Sequence, residues 1–298
     1  WSRNAQILDL DHVPDNLSST FTASTLLDDH RMLAVSGPDA LAFAQAQFSS
    51  DVLAMADGHW HWSSWLTAKG RTLAVFQLVR VGPEQILLVL ADGDADAIAT
   101  QLQRFVFRRK VKVSLRDDLQ VRGRFGAPIC AERARAAMEG SDLIELDVGS
   151  PTLPRSLYLG PASATPGDPE FVARWRQADL RHGVPRLVTS QREQWTPQQL
   201  GLDRLGGYSV KKGCYPGQEI VARTHFLGKA KRALQLLQLS APAEPGASVQ
   251  QDAAALGTVV CVAGDLALAV LPLDTSDAPL SVDGEPAQRL PLLDGLAR

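Results

Sequence analysis

The run KKGCYPGQEIVAR, residues 211–223, concentrates groups that can do chemistry. Cys214 is one of three cysteines in the chain, and it sits between a glycine and a Tyr-Pro-Gly turn. Pro216 and Gly217 suit the entry to a short helix over GQEIVAR, which places Cys214 just ahead of a helix N-terminus. A helix dipole and nearby ammonium groups, here Lys211 and Lys212, are the two ordinary ways to activate a thiol. Gly213 would let the backbone turn where a side chain clashes. The stretch thus describes either an activated thiol in a tight loop or a small residue packed into a crowded turn. Arg223 follows Glu219 at i+4, the spacing of a local ion pair.

Other chemistries lack their residues. There is no C-x-x-C pair, and His225 is the lone histidine near Cys214, so neither a zinc site nor a disulfide framework is indicated. G-x-S-x-G, G-x-x-x-x-G-K-[ST] and G-x-G-x-x-G are all missing. Cys130 is expected at the start of an Ala/Arg/Glu-rich helix near 129–138, and Cys261 inside an apolar strand. Three isolated thiols fit a reducing cytoplasm. Residues 1–20 carry no apolar core of a signal peptide, and no apolar run is long enough to span a bilayer.

Four further groups could bind a ligand. Trp175 lies on the apolar face of a helix opened by Asp168-Pro169-Glu170, where it serves either as core or as a stacking face. His30, in LLDDHRML, is expected at the surface. HWHWSSW puts Trp60 and Trp62 on one face of a strand and Trp65 on the other. Arg104, Arg108, Arg109, Lys110 and Lys112 form the strongest basic cluster, either a solvated face or a site for phosphate or polyglutamate. The net charge of -3 excludes a globally basic nucleic-acid binder and leaves only such a local patch.

The elements that must position these residues follow from pattern. At 298 residues the chain exceeds one ordinary core. SGPDALAFAQAQFSSD opens a helix, with Ser36 able to cap it and Leu41, Ala44 and Phe48 on one face. TLAVFQLVRV (72–81) and QILLVL (85–90) form a buried hairpin around Gly82-Pro83. Ile98, Leu102 and Phe105 mark another helix, and VKVSL (111–115) another strand. Short strands fill 119–160, PASATPGD (161–168) is a linker, and APAEPGA (241–247) precedes a small β-barrel.

PQQLGLDRLGGYSVKKGCYPGQEIVAR resembles the signature of the YgfZ family, relatives of the glycine-cleavage T-protein associated with folate, tRNA modification and iron–sulfur maturation. The K-G-C-Y-x-G-Q-E core stands here as Lys212, Gly213, Cys214, Tyr215, Gly217, Gln218 and Glu219. VSGPDALAFAQAQFSSDV, LTAKGRTLAVFQLVR, FVFRRKVKV and RHGVPRL are similar to further family stretches. The resemblance implies an α+β, T-protein-like ring of two ferredoxin-like units and a C-terminal β-barrel around a central channel. The units would be 1–115 with 185–230, 116–184, and 231–298. It also implies a tetrahydrofolate or related reduced folate as ligand, with no stably bound metal.

In that picture Cys214 is the functional thiol and Lys212 tunes it, while Gln218 and Glu219 fix the loop by hydrogen bonds. Trp175, His30, Tyr215, Gln218, Glu219, Arg223 and Arg109 are the implied folate contacts. The implied partners are iron–sulfur client enzymes or assembly proteins and a low-affinity tRNA contact, with the protein monomeric, cytoplasmic and off the membrane. Two departures matter. T-protein enzymes carry an acid in an R-x-E-x-G stretch that recognises the pterin, and here Asp179-Leu180-Arg181-His182-Gly183 has Arg181 in its place. They also have an acid-aromatic pair where this chain has Cys214-Tyr215. An accessory factor is therefore favoured, with tetrahydrofolate-dependent one-carbon transfer as the alternative and an RNA-binding module as a third reading.

Overall fold

The computed structural model describes residues 16–92, 94–164, 166–228, 230–252, 254–273 and 278–298. Most of the polar N-terminal run expected over 1–20 lies outside them. A short helix α1 (Asn16–Ala23) and a two-residue strand β1 (Thr25–Leu26) lead into β2 (Arg31–Ser36), α2 (Ala40–Gln47), β3 (His59–Leu66), β4 (Thr72–Gly82), β5 (Gln85–Leu90), α3 (Ala95–Gln103) and β6 (Lys112–Leu115). The strands after β1 pair antiparallel in the order β3-β4-β5-β2-β6. Strand alternation divides the tryptophans as their spacing requires. Trp60 and Trp62 face the core shared with the rest of the molecule, whereas Trp65 packs with Phe43, Phe48 and Leu102 beneath α2 and α3.

Two local expectations shift. Ser36 ends β2 instead of capping α2, whose N-cap residue is Asp39. The Asp39 carboxylate accepts the Lys110 N–H (2.7 Å), so it ties α2 to the turn before β6. Helix α3 ends at Gln103, so Phe105 leaves the apolar row and is 39% exposed.

A second sheet has the order β1-β7-β10-β9-β8, formed with β7 (Leu119–Phe125), β8 (Ala137–Glu139), β9 (Leu143–Asp147) and β10 (Arg155–Pro161). Strand β1, within the expected 1–115 unit, thus pairs with β7 of the second sheet. The helix expected near 129–138 does not form. The N–H groups of Ile129, Cys130 and Ala131 instead donate to the fully buried carboxylate of Glu145 (2.8, 2.7 and 2.9 Å), and β8 then pairs with β9. A buried carboxylate needs several donors, and that requirement outweighs a weak helix propensity. Helix α4 (Pro169–Arg181) starts as its sequence dictates, with the Asp168 side chain accepting the Glu170 N–H at 2.9 Å.

The chain then runs through a 3-10 turn (Thr189–Gln191) and helix α5 (Gln218–Phe226). It closes in a six-stranded antiparallel barrel of β11 (Arg232–Leu239), β12 (Ser248–Gln251), β13 (Ala254–Ala263), β14 (Leu266–Pro272), β15 (Leu280–Val282) and β16 (Glu285–Leu290). One hydrophobic core runs through both sheets and the barrel, from Trp60 through Val121 and Trp175 to Leu234 and Leu268. Among the described residues, no helix is long and apolar enough to cross a membrane.

Candidate functional site

Helix α5 is capped at its start by Gly217, whose φ of +77° lies in the left-handed region, and a Cβ there would come within 2.5 Å of Gly70 Cα. Gly70 has φ +69°, and its own Cβ would meet Ile220 at 2.8 Å. Two glycines distant in sequence thus allow the Lys69-Gly70-Arg71 turn and the start of α5 to touch backbone to backbone. Gly213 has no such role, because open space surrounds it and its φ is not positive. The clash inferred for it from sequence is not there.

Three side chains hold the loop before α5. Lys212 is 6% exposed, and its ammonium donates to the backbone carbonyls of Gln45 and Phe48 at the end of α2. Gln218 Nε2 donates back to the Lys212 carbonyl (2.9 Å). Tyr215 is buried against Leu66 and Val221, donates its hydroxyl to the Ser209 carbonyl (2.9 Å), and lies with its ring 4.8 Å from the Lys212 ammonium. Cys214 is left exposed on this fixed frame. The other thiols differ: burial and the Glu145 charge raise the Cys130 pKa, and burial pushes Cys261 up to about 12.

This arrangement corrects several expected roles. The Lys212 ammonium anchors the loop from inside the protein, whereas Cys214 is exposed to solvent. Glu219 is exposed in the first turn of α5, where its charge suits the helix dipole, and it has no hydrogen-bond or ion-pair partner among the described residues. Its expected ion pair with Arg223 does not form, because Arg223 turns to the wall of a cavity. Tyr215 is a packing residue and presents no free face.

Beneath the loop lies a polar cluster that sequence reasoning missed. His61 Nε2 is 2.8 Å from Ser50 Oγ, which donates to Ser63 Oγ at 2.6 Å. Burial, reinforced by Lys212 and opposed by Asp51, lowers the His61 pKa to about 4. Burial likewise lowers the Lys212 pKa to about 8, again against the pull of Asp51. Ser63-Ser64 in the middle of a tryptophan strand, opposite Ser49-Ser50-Asp51, was the available signal.

At the far end of α5 two cavities adjoin. One, of about 560 Å³, is lined by Arg71, Arg223, Lys231 and Arg232. The other, of about 310 Å³, shares Thr224 and Ala230 with it and is walled by Tyr208, Leu234, Leu273 and Leu292.

The remaining expected ligand contacts lie elsewhere. His30 is buried, not at the surface, and its Nδ1–H donates to Asp29 (2.6 Å). Trp175 is 2% exposed. The Arg155 guanidinium covers its ring at 4.7 Å, and Phe171 stacks on it with centroids 6.0 Å apart. It would have to be uncovered before any ligand could stack there. Arg109 stands in the exposed turn after α3 and lines neither cavity beside α5. Arg181 is exposed, and the acid two residues earlier, Asp179, is buried.

Asp179 belongs to a network where the units meet. Arg155 donates to it at 2.8 Å, and Arg186 reaches Asp92 (2.7 Å), Asp29 (2.7 Å) and Asp179 (3.4 Å). Burial alone would raise the Asp29 carboxyl, but His30, Arg186 and Arg176 together hold it well below the usual carboxylate range.

Comparison with known proteins places this architecture. The fold matches that of the glycine cleavage system aminomethyltransferase T from Bartonella henselae, with a TM-score of 0.68 at 14% identity, covering 93% of this chain and 88% of that one. The family described as CAF17, C-terminal beta-barrel domain, matches residues 231–290. The chain is thus a T-protein-like ring closed by a barrel. It is 30% identical over 244 residues to a tRNA-modifying protein YgfZ from Escherichia coli (74% of this chain, 73% of that protein). A second tRNA-modifying protein YgfZ, from Aliivibrio fischeri, is 28% identical over 288 residues (88% and 89%). The chain belongs to the YgfZ family.

Proposed function

We propose that this protein is a folate-binding accessory factor of tRNA modification, which supports assembly or repair of iron–sulfur clusters in client enzymes such as those that thiomethylate tRNA. The observation that carries the reading is the exposed Cys214 thiol on a loop fixed by Lys212, Gln218 and the Gly70–Gly217 contact. A thiol displayed in this way can meet a protein partner, while Cys130 and Cys261 are raised in pKa. The names of the relatives as tRNA-modifying proteins supply the process.

The paired cavities support a reduced folate as ligand. The Tyr208–Leu234–Leu273–Leu292 side offers apolar walls for a flat ring, and the four cations beside it suit a carboxylate tail. Among the described residues no group of three metal-ligating side chains is gathered. A cluster handled by Cys214 therefore needs ligands from a partner. One-carbon transfer is disfavoured by Arg181 in the acid's place, and by Asp179 being already paired with Arg155 and Arg186.

The test is complementation of a deletion strain with Cys214→Ala, alongside equilibrium tetrahydrofolate binding by the same variant. The expected result is loss of tRNA thiomethylation and of cluster-enzyme activity with folate binding retained. Full recovery would remove the thiol from the mechanism. Robust formation of methylene-tetrahydrofolate from an aminomethyl donor would make the protein a transferase instead.

A further inference from the structure

The turn joining α3 to β6 presents five cations in nine residues: Arg104, Arg108, Arg109, Lys110 and Lys112. All are exposed, no acid interrupts the run, and none of their side chains has a hydrogen-bond or ion-pair partner among the described residues. The one carboxylate bonded to the turn, Asp39, is occupied by the Lys110 backbone N–H (2.7 Å). Phe107 stands among the cations with 86% of its surface exposed and φ +49°, and Phe105 is 39% exposed. A bulky residue in the left-handed region is costly, and an exposed apolar ring adds nothing to the core.

The turn is nevertheless held firmly. Val106 plugs the core under α3, Arg109 N–H donates to the Val106 carbonyl (3.0 Å), and Val113 N–H donates to Gln103 Oε1 (3.1 Å). The patch also adjoins the Cys214 frame. The Phe105 ring lies edge-on to Trp65 (6.2 Å), Trp65 bridges to Phe48, and the Phe48 carbonyl accepts the Lys212 ammonium.

We infer that this turn is a docking surface for RNA that presents an unpaired base. The cations would meet phosphates, and Phe107 would stack on the base. Uninterrupted positive charge is complementary to a phosphate backbone, and an aromatic ring set among cations is the combination that binds single-stranded nucleic acid. A purely anionic surface such as a membrane would use the charge but not a ring pinned at one rigid position. The inference deepens the proposed role and rests on it only for the choice of tRNA as ligand.

The experiment measures binding of a fluorescent tRNA transcript to the full chain by anisotropy across a salt series, with tetrahydrofolate binding and thermal melting recorded for every variant. Affinity is expected to fall steeply with salt. Arg108→Ala with Arg109→Ala should reduce the slope of log K against log salt by about 1.5 to 2. Phe107→Asn, which tolerates the left-handed backbone, should weaken binding roughly tenfold with the slope unchanged. Both variants should bind folate as the parent does. The inference is overturned if the transcript does not bind at low salt, if neither variant changes binding, or if phosphatidylserine vesicles are bound in preference to tRNA. If the parent binds folate but not the transcript, this surface alone fails. Failure of the parent to bind folate while tRNA still binds is a failure of the ligand reading alone.

Discussion

Arg186 and Lys212 are both buried cations, but their surroundings are opposite in kind. Arg186 is ringed by the carboxylates of Asp29, Asp92 and Asp179 and also donates to the Ala91 carbonyl. Its guanidinium stays charged at any accessible pH. The Lys212 ammonium is held by two backbone carbonyls, with Asp51 acting only at a distance, and burial brings its pKa down to about 8. The first arrangement joins the segment after β5, α4 and the loop after β1 by permanent charge. The second holds the Cys214 loop with a proton that can leave close to physiological pH. The Arg186 network thus ties distant segments together by permanent charge, whereas Lys212 ties its loop to α2 through backbone carbonyls.

The comparison breaks first at Arg186. Removing one member of a buried ionic network strands the others, so Arg186→Ala should lower the unfolding free energy by about 3–5 kcal/mol in a urea titration. A loss below about 1 kcal/mol would mean that the network does not join the units.

Lys212 should reveal itself through pH. Its folded-state pKa of about 8 lies below the ordinary lysine value of 10.5, so the unfolded chain binds the extra proton between those values. The penalty of burying the ammonium is complete below pH 8 and fades as pH rises, and this residue's contribution to stability therefore increases from pH 8 upward. Burial of Tyr208, with Asp203 beside it, raises its pKa to about 12, and this opposes the trend above pH 10. The reading window is thus pH 8 to 10. Over that interval the parent should gain on the order of 2 kcal/mol relative to Lys212→Met, followed by denaturant midpoints. Parallel pH profiles would contradict the lowering of the Lys212 pKa by burial.

The glycines sharpen the same loop on a smaller scale. Gly217→Ala forces a Cβ into the Gly70 backbone at a positive φ and should cost about 2 kcal/mol. Gly213→Ala meets open space and should change stability by less than about 0.5 kcal/mol. Equal costs at the two positions, read from thermal melts, would show that the Gly70 contact does not shape the loop.

Much of the fold was legible because its signals are local. The apolar runs 72–81 and 85–90, the Asp168-Pro169 helix start and the APAEPGA break at 241–247 led to β4, β5, α4 and the closing barrel. What failed depended on partners distant in the chain. Glu145 gathers the backbone of 129–131, and nothing in that Ala-rich run announces the carboxylate waiting for it. His30 reads as a surface residue until Arg176 and Arg186 are brought onto Asp29, the neighbour to which His30 itself bonds. Within the site, Cys214 and the bond from Gln218 could be anticipated from the signature. The inward turn of Lys212, the Ser50–His61 pair and the Gly70–Gly217 contact required the sheet that presents α2 and β3 to the loop.

Cys214 is the exposed thiol among the three cysteines. A short iodoacetamide pulse on the folded protein near pH 7, mapped by mass spectrometry with and without saturating tetrahydrofolate, measures this directly. Cys214 should be carbamidomethylated before Cys130 and Cys261, and bound folate should slow labelling only if the ligand reaches from the cavities beside Arg223 along α5 to the loop. Earlier labelling of Cys130 or Cys261 would contradict the assignment of Cys214 as the displayed thiol and leave the signature as a packing motif.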